Sequence, residues 1–323
     1  MAEDAVIVYL EDIGAYVPEA RVDNARFSEL TGKEPEWFVA RTGIHARSRA
    51  AADETTTSMA LAAVRRLLEK RPSVLTGVDL IIGATYTPED TLSTMPFRLQ
   101  RELGIAEARV YFLSSACSSF ISGLELARIM VRSGEARRVL LVASEHNSRY
   151  SDDADRFSGH LWGDGAAAAV ISDVQENAAY SLEYARSRGV ACAGKGPEAL
   201  GLDPILGQHG LVMHEGRDVF ARACEYLADE TRTAMASLGL TVADIAWLVP
   251  HQANLRILTH VAKALGLPVE RCLVTVDQLG NTGCASIPIT LELAGGDVAP
   301  GDIVATTAFG GGYSCGAAIL RKL

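Results

Sequence analysis

Four short segments carry groups that chemistry can use. The first, Phe112-Leu113-Ser114-Ser115-Ala116-Cys117-Ser118-Ser119-Phe120, sets a cysteine where an apolar run gives way to a helical pattern. Free N–H groups and aligned peptide dipoles at a helix N-terminus stabilise a thiolate, which is the reactive form of the side chain. Cysteine is also a common core residue, so a catalytic reading needs a partner. In the second, Leu248-Val249-Pro250-His251-Gln252-Ala253-Asn254-Leu255-Arg256, a histidine directly follows an apolar strand and precedes a helix. Ends of strands are where α/β proteins build their sites. The third, Leu279-Gly280-Asn281-Thr282-Gly283-Cys284-Ala285-Ser286-Ile287-Pro288, offers the Asn281 amide in a turn of small residues entering another helix. The fourth is Phe309-Gly310-Gly311-Gly312-Tyr313-Ser314, whose glycines free backbone N–H groups to face an oxyanion; no Lys-Ser/Thr follows, which disfavours a phosphate cradle. Each segment alone has a structural alternative: a buried thiol, a packing imidazole, an ordinary turn.

The other cysteines, Cys192, Cys224, Cys272, Cys284 and Cys315, make no close CxxC pair, and the seven histidines add no ligand spacing, so no metal site is expected. A disulfide framework is not expected in a long chain of this kind.

Positioning these groups requires alternating strands and helices. Strands are expected at Val78–Ile82, Val110–Leu113, Val139–Val142, Ala167–Ile171, Ile245–Val249, Cys272–Val276 and Ile303–Thr307. Helices are expected at Thr57–Lys70, where Met59, Leu61, Val64, Leu67 and Leu68 form a stripe, and at Cys117–Arg132, apolar nearly all round and therefore buried between layers. Others fall near Arg217–Leu238, Ala253–Leu265 and Cys284–Leu293. The order is that of layered α/β proteins. Ile82 and Val249 lie 167 residues apart (249 − 82), as do Cys117 and Cys284 (284 − 117), and each pair sits in the same run of strand, small-residue turn, helix and Gly turn. That spacing suggests duplicated halves, 1–175 and 176–323, stacked about a pseudo-twofold. Asn177 to Gly210, rich in Gly and Pro, reads as the loosest stretch, an excursion over a site.

A chain of 323 residues is long enough for two such halves at roughly 150 residues per domain. With 30 Lys plus Arg against 40 Asp plus Glu, the net charge of −10 argues against nucleic acid held by bulk charge, so an anionic ligand must meet a local basic patch. Met1-Ala2-Glu3-Asp4 lacks an apolar signal core and no run reaches the roughly 18 apolar residues of a membrane helix; a cytoplasmic protein with no membrane partner is expected.

Together, in this order, the segments resemble the thiolase-fold condensing enzymes, most closely β-ketoacyl-acyl carrier protein synthase III and its relatives in specialised metabolism. The resemblance also takes in Gly14-Ala15-Tyr16-Val17-Pro18, Glu36-Trp37-Phe38-Val39-Ala40-Arg41-Thr42-Gly43-Ile44 and Trp162-Gly163-Asp164-Gly165-Ala166. It implies a five-layered α-β-α-β-α fold, a homodimer, no metal or redox cofactor, and a Cys-His-Asn triad of Cys117, His251 and Asn281. Cys117 would carry an acyl group from coenzyme A; His251 and Asn281 would stabilise the enolate formed when a malonyl-carrier protein loses carbon dioxide; the N–H groups of Cys117 and Gly311 would hold the later oxyanion. Trp37 and Arg156 resemble the pair that sandwiches adenine, with Arg41, Thr42, Phe220, Ala253 and Asn254 along the coenzyme A path. Arg256 and Lys263, seven residues apart on one helix face, would meet acidic acyl carrier protein. Ser118-Ser119, Leu92 and His214 with Arg217 depart from the housekeeping pattern and point to an altered acyl pocket. Transfer of the acyl group to an alcohol or amine, and a non-catalytic partner subunit, are the two alternatives.

Overall fold

The computed structural model describes residues 6–202 and 210–323. The acidic Met1–Asp4 stretch and the Pro204 and Gly207 interruptions lie outside the described residues. In chain order the elements are β1 (Tyr9–Tyr16), β2 (Ala20–Asp23), α1 (Asn24–Thr31), α2 (Pro35–Thr42), β3 (Ala46–Arg49), α3 (Thr56–Lys70), β4 (Leu80–Ala84), α4 (Met95–Glu102), β5 (Arg109–Leu113), α5 (Ser119–Arg132), β6 (Arg138–His146), β7 (Asp164–Ser172) and β8 (Tyr180–Gly189). There follow β9 (Leu200–Leu202), β10 (Leu211–Met213), α6 (Gly216–Ser237), β11 (Ile245–Pro250), α7 (Leu255–Leu265), α8 (Val276–Leu279), α9 (Ser286–Ala294), β12 (Ile303–Gly310) and β13 (Ser314–Lys322).

Nine of the thirteen described strands form one continuous ladder in the order β11-β12-β13-β8-β1-β7-β6-β4-β5, while β2 pairs with β3 and β9 with β10 in separate two-stranded sheets. Its centre is thin: β1 and β8 pair only at Tyr9 with Ser181 and Leu10 with Tyr180. On one side, β5 and β6 flank β4 in parallel while β7 and β1 continue antiparallel. On the other, β11 and β12 are parallel while β13 and β8 continue antiparallel, and Cys272 bridges Leu248 in parallel where a strand matching β5 would lie. The two sides therefore share one topology. Helices α5 and α9 touch strands of both sides and fill the space between them, burying Phe120, Leu124, Ile287 and Ile289 with Leu141, Ala167, Leu182 and Val304. Helix α3 covers the outer face of the first side through Met59, Ala60, Ala63, Val64 and Leu67; α6 and α7 cover the second through Cys224, Leu227, Ile257 and Val261. Alternation of these layers is the five-layered thiolase arrangement. Burial of each such aliphatic side chain contributes about 1.5–3 kcal/mol before chain entropy opposes it.

Two expectations are corrected. Cys272–Val276 is not a regular strand. Its composition is β-like, yet the N–H groups of Thr275 and Val276 donate to the Gln252 side-chain oxygen (3.0 and 3.2 Å), and α8 begins at Val276. Only Leu273 continues the ladder, donating to the Leu248 carbonyl at 3.0 Å. Asn177 to Gly210 is not uniformly loose, since it contains the ten-residue β8, whose charges are paired outside the strand: Arg321 with Glu183, and Arg188 with Glu230.

Candidate active site

Cys117 sits just before α5, on a turn whose preceding residue, Ala116, takes a left-handed φ of 50°. Non-glycine residues hold that conformation only where their surroundings enforce it. Here Ser118 and Ser119 do so: their hydroxyls donate to the Ser115 and Ala116 carbonyls (2.8 and 2.6 Å), and Ser119 accepts the Ser115 N–H. Strand β12 ends against this turn. A side chain on Gly310 would come 2.7 Å from the Cys117 nitrogen, so only glycine lets the strand approach.

His251 follows β11, its N–H donating to the Thr307 carbonyl at 2.8 Å. Its Nδ1 lies 2.8 Å from the Ser286 hydroxyl, which already accepts the Gln252 N–H at 3.2 Å. With the serine proton directed at Nδ1, the imidazole proton sits on Nε2. Burial pushes this histidine down to about 4, so it is neutral at rest. Asn281 is held by its backbone: its N–H donates to the Leu161 carbonyl and its own carbonyl accepts from Gly163 (2.8 and 2.9 Å). Its side-chain oxygen accepts the Gly283 N–H at 2.9 Å, leaving the amide NH₂ as donor.

Cys117, His251, Asn281, Gly310 and Gly311, drawn from distant parts of the chain, line one inner cavity of about 40 Å³ with Trp162, Phe309 and aliphatic side chains. The Trp162 indole N–H finds no acceptor among the described residues. The thiol differs from the thiolate expected at a helix N-terminus. Burial, reinforced by the nearby Glu145 carboxyl, pushes Cys117 up to about 12, because the helix begins two residues later and the sulfur is dry; the Tyr86 hydroxyl acts in the opposite sense. Glu145 is itself raised by burial to about 7 although Thr85, Thr87, Cys284 and backbone N–H groups all donate to it.

Met213, Val219, Ala253, Ile257 and Asn281 also line an outer cavity of about 310 Å³ that adjoins the inner one. Trp37, Arg41, Thr42, Arg156, Phe220, Ala253 and Asn254 all line it. At its mouth the Arg41 guanidinium lies 4.1 Å over the Trp37 ring. Two of these residues serve their helices as well: Asn254 caps α7 by accepting the Arg256 N–H, and the Thr42 hydroxyl donates to the Phe38 carbonyl (2.9 and 2.7 Å). Arg256 and Lys263 line an adjoining groove of about 390 Å³ that shares Phe220 with the mouth.

None of the residues expected to shape an acyl pocket lines the inner cavity of this single chain, and Leu92 is the one expected to act on the pocket of a partner subunit. Leu92 is 88% exposed, His214 is exposed beside the cavity-lining Met213, and Ser118 and Ser119 are spent on the Cys117 turn. Sequence reading missed Ser286, Tyr86 and Glu145. Only Ser286 had a signal, its place in the quoted helix entry.

The family description "3-Oxoacyl-[acyl-carrier-protein (ACP)] synthase III" matches residues 113–187, and its C-terminal counterpart matches residues 235–322. The β-ketoacyl-[acyl-carrier-protein] synthase III of Sphingopyxis alaskensis is 39% identical over 97% of this chain and 98% of its own; that of Rhodobacter capsulatus is 38% identical over 96% and 97%. Among solved structures, the synthase III of Thermus thermophilus superposes with a TM-score of 0.91 at 37% identity, covering 97% of this chain and 98% of that one. The priming β-ketosynthase of the R1128 polyketide pathway does so at 0.87 and 32% identity, covering 100% and 98%. With its nucleophile turn, imidazole, carboxamide and glycine-lined strand end in one cavity, the chain belongs to the β-ketoacyl-acyl carrier protein synthase III family of thiolase-fold condensing enzymes.

Proposed function

We propose that this condensing enzyme loads an acyl group from coenzyme A onto Cys117 and joins it to a malonyl-carrier protein with loss of carbon dioxide. In the first half-reaction the Cys117 sulfur attacks the thioester carbonyl; the C–S bond to coenzyme A breaks, and the cysteine proton ends on the departing thiol. The N–H groups of Cys117 and Gly311 hold the oxyanion. In the second, the malonyl thioester carbonyl accepts hydrogen bonds from His251 Nε2–H and the Asn281 amide. The carboxylate leaves as carbon dioxide and the electron pair of the broken C–C bond becomes the enolate, which attacks the acyl carbonyl; the C–S bond to Cys117 breaks, giving a β-ketoacyl thioester, and the departing sulfur takes a proton from water to return to the thiol. A neutral imidazole suits this role, because it can donate to the enolate without being an acid strong enough to quench it.

The observation that carries the reading is the convergence of Cys117, His251, Asn281 and Gly311 on one dry cavity with an adjoining mouth lined by Trp37, Arg41, Arg156 and Phe220. Mass spectrometry of the intact protein with acyl-coenzyme A donors, followed by carbon dioxide release from malonyl-carrier protein, tests it. An adduct lost in Cys117→Ala, and carbon dioxide formed in step with β-ketoacyl product, are expected. Acyl transfer to an alcohol or amine without carbon dioxide would replace it with the acyltransferase alternative, and no adduct from any donor would leave the partner-subunit one.

The reading includes a homodimer in the cytoplasm, with acyl carrier protein meeting Arg256 and Lys263 and the halves divided as 1–175 and 176–323. Edge strand β5 with exposed Tyr111 and Phe112, and the exposed Leu92 and Phe97, supports self-association. None of the described helices is long and apolar enough to cross a membrane. Sedimentation at micromolar concentration checks the dimer.

A further inference from the structure

His160 lines the outer cavity and is only 5% exposed, yet its imidazole has no hydrogen-bond partner among the described residues. Its place is fixed from three sides. The Arg47 Nε donates to its carbonyl at 2.6 Å, and the ring packs against Phe38 and Trp37 at centroid distances of 5.2 and 6.0 Å. Nδ1 is sealed without a partner; Nε2 makes no hydrogen bond either but is not sealed, so it is the nitrogen that the cavity reaches. Burial, followed by the Arg47 charge, pushes this histidine down to about 4, with Asp155 acting in the opposite sense, so the ring holds one proton at neutral pH. On Nδ1 that proton would be an orphaned buried donor, the rarer defect in folded proteins; on Nε2 it faces the cavity. Other neutral groups on this wall are already spent: the Thr42 hydroxyl donates to the Phe38 carbonyl at 2.7 Å, and the Asn254 side-chain oxygen accepts the Arg256 N–H at 2.9 Å.

We propose that His160 Nε2–H donates to the outer amide carbonyl of the pantetheine arm and so grips both substrates, since the coenzyme A donor and the carrier-protein extender bear the same arm. This rests on Cys117 taking its acyl group from coenzyme A. The arm has one amide near its sulfur and a second further out. His160 lines the outer cavity but not the inner one, where the thioester must meet Cys117, so the outer amide is the one it can reach. An imidazole wedged between two aromatic rings and tethered through its backbone is already oriented before the substrate arrives, which lowers the cost of forming the bond.

The test places one acyl group, that of the coenzyme A donor which loads wild type fastest, on coenzyme A, on pantetheine and on N-acetylcysteamine, which keeps the inner amide alone. Loading of Cys117 is followed by mass spectrometry of the intact protein. His160→Phe keeps the ring packing and removes the donor. It should slow loading from coenzyme A and from pantetheine about fivefold, leave N-acetylcysteamine unchanged, and raise KM for malonyl-carrier protein by a similar factor with kcat little altered. His160→Gln, which offers an N–H at similar reach, should recover most of the loss. Equal slowing on all three carriers would overturn the proposal in favour of wall packing, and slowing with coenzyme A alone would overturn it in favour of a nucleotide contact. Wild type that loads from pantetheine no faster than from N-acetylcysteamine would overturn it whether or not the variants fold. A wild type that no donor loads would remove the Cys117 reading, and this one with it.

Discussion

The Ser286 hydroxyl lies 2.8 Å from Nδ1 of His251, and by donating its proton there it keeps the ring proton on Nε2. Ser286→Ala removes that bias, so a fraction of the imidazoles would present a bare Nε2 to the enolate. Carbon dioxide release from malonyl-carrier protein should fall about tenfold, on the low side of losing one oxyanion donor, while acylation of Cys117 holds. Ser286→Thr, which keeps the hydroxyl, should recover most of the rate. Stopped-flow decarboxylation measured beside intact-mass acylation separates the two steps; equal loss in both would mean a packing defect.

Reactivity of Cys117 follows from its desolvation. With the thiol pushed up to about 12, the thiolate fraction at pH 8 is small, and alkylation by iodoacetamide should keep climbing tenfold per pH unit through pH 10 without a plateau. Removing the phenol hydroxyl in Tyr86→Phe takes away a group that lowers the thiol's pKa, so the curve should move to still higher pH. A plateau near pH 7 would show that the α5 dipole outweighs burial.

His251 sets a pH dependence of stability. Its pKa is lowered by burial from 6.5 to about 4, so the unfolded chain binds the proton more tightly, and the stabilisation is present above about pH 6.5 and lost as pH falls toward 4. Its full size is ~3 kcal/mol by order of magnitude. Thermal melts of wild type and His251→Gln should therefore converge as the pH drops from 7 to 4. Parallel melting curves across that window would mean the imidazole is hydrated in solution.

Why some of this was legible in the sequence is a matter of range. Cys117, His251 and Asn281 each sit at a junction between elements, but local pattern left a structural alternative at each, and only the resemblance carried by all the segments in order joined them. Ser286 was not legible as a partner, because its bond to His251 spans 35 residues and depends on how α9 packs against β11. Tyr86 read as an ordinary residue after a strand; that it fills the volume left by Gly283 is a fact of packing 197 residues away (283 − 86). Cys272–Val276 failed for the same reason, as strand propensity cannot register that Gln252 takes the N–H groups a ladder would use.

The two basic regions at the surface should separate kinetically. Arg41 stacks on Trp37 in the mouth, whereas Arg256 and Lys263 are exposed in the neighbouring groove, Arg256 lying 5.6 Å over Phe220. In the proposed function coenzyme A would reach the mouth but not the groove, and a carrier protein would cover both. Arg41→Ala should raise KM for acyl-coenzyme A about tenfold with kcat little changed, the pattern of lost uniform binding. Arg256→Glu with Lys263→Glu should leave that KM alone, raise KM for malonyl-carrier protein, and flatten its dependence on salt, since rim charges act mainly through long-range attraction. Steady-state kinetics with each substrate at low and physiological ionic strength read all three effects. If the charge reversal weakens coenzyme A and carrier protein alike, the groove is part of the mouth and has no separate docking role.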